Sequence, residues 1–173
     1  MKSIFFFIIF IFFSNFGLLY GESKIVFINL DEIVNNSIAG KKLIKKTNKI
    51  QNDFLTKSSE LEKKLKIEEN DLISKKNIMD KEKYNRQVAD FKKKIEIYKK
   101  NKLNKIEELR NFKIKQTNNL LNQIAPILKT YSTDNSISII LQKKDILIGK
   151  SDFDITDIIM KKVNKRITNV EDE

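Results

Sequence analysis

Residues 41–125, 85 in a row, contain neither glycine nor proline. Glycine stands only at 17, 21, 40 and 149, and proline only at 126. These two residues interrupt helices most strongly, and the run between them is rich in Lys, Glu, Leu, Ile and Gln. Asn is also frequent and lowers the propensity a little. Such a run predicts helix throughout. As one straight rod it would span roughly 130 Å at 1.5 Å per residue.

The apolar spacing predicts that the rod is folded in half. Phe54, Leu61, Leu65 and Leu72 are separated by 7, 4 and 7 residues. Tyr84, Val88, Phe91, Ile95 and Tyr98 are separated by 4, 3, 4 and 3, the step of a two-helix seam. The same register continues through Lys102, Lys105, Leu109 and Phe112. From Leu72 to Tyr84 is 12 residues, which fits no heptad step. A turn is therefore expected near 74–80, with Asp80 as N-cap of the returning helix and Glu82 in its first turn. A fold centred near residue 77 sets Glu68 opposite Arg86. Polar seam positions (Gln51, Ser58, Glu68, Lys102, Lys105) predict weak packing and legs that flex.

Charge separates this arm from the rest. Of the formal net charge of +11, residues 41–125 contribute 24 Lys+Arg against 12 Asp+Glu. Residues 22–40 hold one base and three acids, and residues 126–173 hold eight of each. The candidate binding residues are the exposed lysines of the arm: Lys41, Lys42, Lys45, Lys46, Lys92, Lys93, Lys94, Lys99 and Lys100. A solvated helix face explains the same clusters equally well.

The chain starts with Met1-Lys2-Ser3, then ten unbroken apolar residues, Ile4–Phe13. Ser14-Asn15 and a run to Gly21 follow, the order of a secretory signal peptide with a core too short to span a bilayer. Cleavage is expected after Gly21, although Leu19 is large for its position. The alternative is an uncleaved anchor.

The flanks predict a small β-rich base, residues 22–40 and 126–173. Lys24–Leu30 reads as a strand buried on both faces. Asn29 then caps a short helix with Glu32 at its third position and Ile28 and Ile33 as staple, and Ser37 caps the first leg. After Pro126, Thr130–Ser136 reads as a turn, Ile137–Leu141 as a strand, Gln142–Asp145 as a hairpin loop, and Ile146–Ile148 as the returning strand. Asp154 as N-cap with Asp157 at the third position opens a closing helix, stapled by Phe153 and Ile158. About 60 residues make a marginal core, so the base is expected to oligomerise. Its candidate association residues are Ile25, Phe27, Ile137, Ile139 and Leu141. The fold class expected is α+β: a small β-sheet base carrying a long antiparallel helical hairpin.

Two motifs in this layout carry a resemblance. One is Lys24-Ile-Val-Phe-Ile-Asn-Leu-Asp-Glu-Ile-Val-Asn-Asn-Ser-Ile-Ala-Gly-Lys41, with a Ser-x-x-Gly-Lys entry to the arm. The other is Asp154-Ile-Thr-Asp-Ile-Ile-Met-Lys-Lys-Val-Asn164. With the export signal, these resemble the Skp/OmpH family of periplasmic chaperones. Asn29 and Phe153 depart from the residues that family often carries there, Asp and Tyr. The resemblance implies a homotrimer whose bases join and whose arms hang around a cavity. It also implies an ATP-independent holdase for unfolded outer-membrane proteins, working in the periplasm. A basic arm further allows contact with an anionic membrane surface.

Other classes fit less well. The chain has no Cys and no His, which removes thiol nucleophiles, imidazole bases and His/Cys metal sites. No cofactor and no metal are expected. Asp154 and Asp157 are explained by a helix start, so no enzyme is expected. A pI near 9.6 would attract nucleic acid without reading it, but Arg is scarce, Trp is absent and the chain carries an export signal. No nucleic acid is expected as physiological partner. The remaining alternative is a structural or adaptor coiled coil of the envelope, anchored by an uncleaved N-terminal segment.

Overall fold

The structure is a computed structural model and describes residues 23–168. The segment expected to direct export, with its expected cleavage after Gly21, lies outside the described residues. The elements run β1 (Lys24–Ile28), α1 (Leu30–Asn36), α2 (Ile38–Lys75), α3 (Lys81–Asp134), β2 (Ile137–Gln142) and α4 (Thr156–Arg166). α2 and α3 are the two legs of a long antiparallel hairpin, and everything else forms its base. Asp80 ends the turn between the legs by accepting from the Glu82 and Lys83 amides, both at 3.0 Å.

Between Asn29 and Ser37 the chain changes direction twice within a few residues. Asn29 Oδ1 accepts from the Glu32 amide at 3.1 Å, and its amide nitrogen donates to Glu32 at 3.0 Å. The Ser37 hydroxyl accepts from the Gly40 amide at 3.1 Å and starts α2. Gly40 is required by space: a Cβ there would stand 1.7 Å from the Val34 carbonyl oxygen. The Ser-x-x-Gly-Lys entry is thus a cap followed by a close approach of α1 to α2.

The second leg is longer than expected. α3 passes through Pro126 and ends at Asp134, so Thr130–Asp134 is helix and not a turn. Proline removes one backbone donor, a cost met here at an exposed position. Its neighbours Ile124 and Ile127 are buried at 1 % and 4 % exposure, and their packing holds the helix together.

The sheet is smaller than expected. β1 and β2 pair in parallel, with Ile25 beside Ile139, Val26 beside Ile140 and Phe27 beside Leu141. The predicted third strand, Ile146–Ile148, does not form. Lys143–Asp145 makes a 3-10 turn that carries the chain away from β2, and Leu147 and Ile148 are 97 % and 90 % exposed. Nor is β1 buried on both faces. Val26 and Ile28 enter the core with Ile33, Leu120, Ile124, Ile159 and Val163, while Ile25 stays 45 % exposed.

The closing helix also starts one residue later than expected. Ile155 is its N-cap, so Asp157 is at the second position. Asp154 still reaches the helix: its Oδ1 accepts from the Thr156 amide at 3.0 Å and from the Thr156 hydroxyl. That hydroxyl accepts from the Asn29 amide at 2.9 Å, and Asn164 at the other end of α4 accepts from the Ile38 amide at 2.8 Å. The two end motifs are therefore bonded to each other across the base. Phe153 and Ile158, expected as a staple, are both exposed.

Candidate functional site: the basic arm and the outer sheet face

Burial along the legs follows a seam. On α3 the half-buried positions are Tyr84, Val88, Phe91, Ile95, Tyr98, Lys102, Leu109 and Phe112, leading to buried Gln116. Lys105 is exposed and bonds Glu108 along its own helix, so the seam opens there. On α2 the facing positions are Leu43, Thr47, Phe54, Ser58, Leu65 and Leu72. Leu61 and Gln51, both expected in the seam, are exposed, whereas the small Ser58 is buried there as expected. With Ser58 on one leg and Lys102 and exposed Lys105 on the other, the middle of the arm has little apolar contact.

Polar bonds supply what the seam lacks. Glu62 accepts from Tyr98 at 2.6 Å and from Lys102 at 2.7 Å. Lys102 leans back so that its ammonium lies 5.8 Å from the Tyr98 ring. The Lys102 hydrogen bond, then that of Tyr98, hold the Glu62 carboxyl below its ordinary range. Desolvation, then the Glu62 carboxylate, raise the Tyr98 phenol. These pairs are exposed, so each adds little stability but sets the register.

That register differs from the one expected. Glu68 bonds Lys94 and not Arg86, about two turns further along the second leg. Side chains on a helix lean toward its N-terminus. In an antiparallel pair they lean in opposite directions, so residues that touch have Cα atoms offset along the axis. A count from the turn alone misses this offset.

The nine candidate lysines do not form one patch. Lys41, Lys42, Lys45 and Lys46 are exposed on the first turns of α2, with Lys46 lying 5.5 Å over the Phe112 ring. Lys92, Lys93 and Lys94 are successive on a helix and point in three directions. Lys94 is bonded to Glu68, and Lys93 lines a groove between the legs with Asp71, Asp90 and Gln87. Lys99 and Lys100 are exposed and diverge in the same way.

The second feature is the sheet face turned away from the helices. Ile25, Ile139 and Leu141 lie on it, 45, 47 and 43 % exposed. Phe27 shares this face but is covered by the loop at Gly149, where a Cβ would stand 2.8 Å from its ring. Ile137 lies in the core, because the pairing shifts register between Lys24 and Ile25. Ile146, Ile148 and Phe153 complete an open apolar groove of about 710 Å³. Sequence reading took Ile146–Ile148 as a strand, and so missed that these residues border this face.

Asp154 pins the edge of this region. Burial opposes its charge, but hydrogen bonds from Lys143 at 2.7 Å and from Thr156 outweigh it and hold the carboxyl below its ordinary value of 3.8. The same bond raises Lys143 above its ordinary 10.5. A depressed carboxyl stabilises the fold above its unfolded pKa and loses that contribution as pH falls through its folded one. A raised lysine keeps its contribution below the ordinary lysine pKa and loses it as pH rises through the folded one. We expect acid titration of stability to contain a component below about pH 4 that Asp154→Asn removes. Urea midpoints across pH for both proteins measure it; identical curves would show that Asp154 contributes nothing.

A short parallel sheet at the root of a long, mostly polar helical hairpin defines a class of architecture. The sequence pattern of the family described as outer membrane protein (OmpH-like) matches residues 24–163, and the chain belongs to that family. A crystal structure described as that of a putative outer membrane chaperone (OmpH-like) from Caulobacter crescentus CB15 superposes with a TM-score of 0.80 at 15 % identity. The match covers 87 % of this chain and 89 % of that one, which shows a shared fold. No curated protein matches the sequence.

Proposed function

We propose that this chain is an ATP-independent holdase chaperone of the periplasm, exported and processed near Gly21. In this reading residues 22–40 and 126–173 form the association base. Three copies join through the outer sheet face, and the arms enclose a space that receives unfolded outer-membrane proteins. The observation that carries the reading is the exposed apolar face of Ile25, Ile139 and Leu141 at the root of the arm, in a chain of the OmpH-like family. An apolar face of this kind on so small a base calls for a partner. The +12 contributed by residues 41–125 favours acidic chains and anionic headgroups, more strongly at low salt. The broken seam at Ser58 and Lys105 gives the legs freedom to fit clients of different size.

The direct test dilutes a urea-denatured β-barrel outer-membrane protein into the purified mature chain. Light scattering should stay low, the client should remain soluble, and the effect should weaken as salt is added. Unsuppressed aggregation at low ionic strength would reject the holdase. Solution mass of the mature chain tests the trimer separately.

A further inference from the structure

The arm has two unlike faces, and we propose that one of them is the surface that holds client. This deepens the holdase reading and rests on it. A residue one position after a seam residue is turned about 100° from the seam in a fixed sense. In an antiparallel pair of right-handed helices, that sense places the residue on the same face of both legs. On α2 the exposed Ile44, Leu55 and Ile73 follow the buried or half-buried Leu43, Phe54 and Leu72. On α3 the exposed Leu103 follows Lys102, and Ile106 follows the seam position of Lys105. Five of the arm's exposed large apolar residues therefore share one face.

Residues one position before the seam define the opposite face. They include Asp71, Asp90, Lys94 and Ile97, all of which line the groove between the legs. This face carries Asp71, Asp90 and the Glu68–Lys94 ion pair, with Lys42, Lys57 and Lys64 at the same positions toward the base, so it is mainly polar.

The apolar face also carries lysines. Lys99 follows Tyr98 and Lys113 follows Phe112, and neither has an ion pair among the described residues. In the half of the arm next to the base, the α2 residues at these positions are Ile44, Asn48, Leu55 and Ser59, with no acid among them. The contacts of Lys46 with Phe112 and of Glu62 with Tyr98 lay these two spans side by side. Isolated apolar side chains between free lysines match an unfolded polypeptide in which apolar and acidic residues alternate. Shallow, scattered contacts of this kind hold a chain without giving it a pocket in which to fold.

The test puts a photo-reactive residue at Leu55 or Leu103 on this face, and at Asp90 or Ile97 on the other. Each full-length assembly is offered a urea-denatured β-barrel outer-membrane protein of acidic pI. Cross-links at 55 and 103 should exceed those at 90 and 97 by about fivefold or more. The variant Leu55→Gln/Leu103→Gln/Ile106→Gln should bind about tenfold more weakly, while Ile67→Gln/Ile97→Gln, at the positions before half-buried Glu68 and Tyr98, keeps its affinity. All five residues are exposed, and circular dichroism confirms that both variants remain helical. Equal cross-linking on both faces, or equal loss in the two variants, overturns the assignment while leaving the holdase intact. Failure of the unsubstituted protein to retain client removes both.

Discussion

Gly40→Ala should prevent the base from closing. The new methyl would stand 1.7 Å from the Val34 carbonyl oxygen and 2.8 Å from its carbon, and both atoms are backbone. No side-chain rotation relieves such a clash, so α1 must move off α2. That shift pulls Ile33 and Ala39, each fully buried, out of their packing and weakens the Ser37 cap. We expect a loss of about 3 kcal/mol, the upper end for an overpacked site. In a small base this lowers the melting temperature by more than about 10 °C. Hydrogen exchange at the Ile28 and Ile159 amides should report the loss, while amides along Phe91–Tyr98 change little. Gly149→Ala is the contrasting variant, since its clash is with the edge of the Phe27 ring, which can tilt. A Gly40→Ala protein that melts with the wild type would show that α1 adjusts freely.

Ile25→Asp with Ile139→Asp should take the assembly apart. The two residues are paired neighbours on the outer sheet face, so the double variant sets two carboxylates side by side where another copy would seat. Burying an unpaired charge costs far more than an interface of a few aliphatic side chains returns. Light scattering should give the mass of one protomer in place of three. Client retention should fall at least tenfold, because separate arms enclose nothing. The folded protomer should survive, since both side chains are already exposed in it. A variant that keeps the wild-type mass would place the association surface elsewhere. A monomeric wild type would remove the trimer itself.

What could be read from the sequence is what depends on neighbours along the chain. The absence of helix breakers, the 4–3 spacing from Tyr84 to Tyr98, and the caps at Asn29, Ser37 and Asp80 are all local signals, and each corresponds to an observed element. The misreadings arose where distant residues decide. Pro126 looked like a stop, but Ile124 and Ile127 on either side are anchored in a core built from both ends of the chain. Ile146–Ile148 has the composition of a strand, yet β2 already has β1 as its partner and the turn at Lys143–Asp145 leads away. The lysine clusters looked like patches because they are adjacent in sequence. Heptad positions, and not adjacency, sort them onto faces, and that sorting needed the seam.

The parallel pairing of β1 with β2 has a consequence for how the molecule is made. Val26 must meet Ile140, and the whole arm lies between them. Closing so long a loop by random search is slow, and the contact is worth nothing until it forms. The helical hairpin changes that search. Its contacts spread from the turn at Lys76–Asp80, each leg zipping against the other, and they deliver Asn29 and Ser136 to the same end. The arm thus acts as the folding guide for its own base. During synthesis β1 emerges before the arm and its partner after it, so the apolar run of Val26, Phe27 and Ile28 must wait unpaired while the arm forms. A chain proposed to keep others from aggregating carries the same hazard in its own β1.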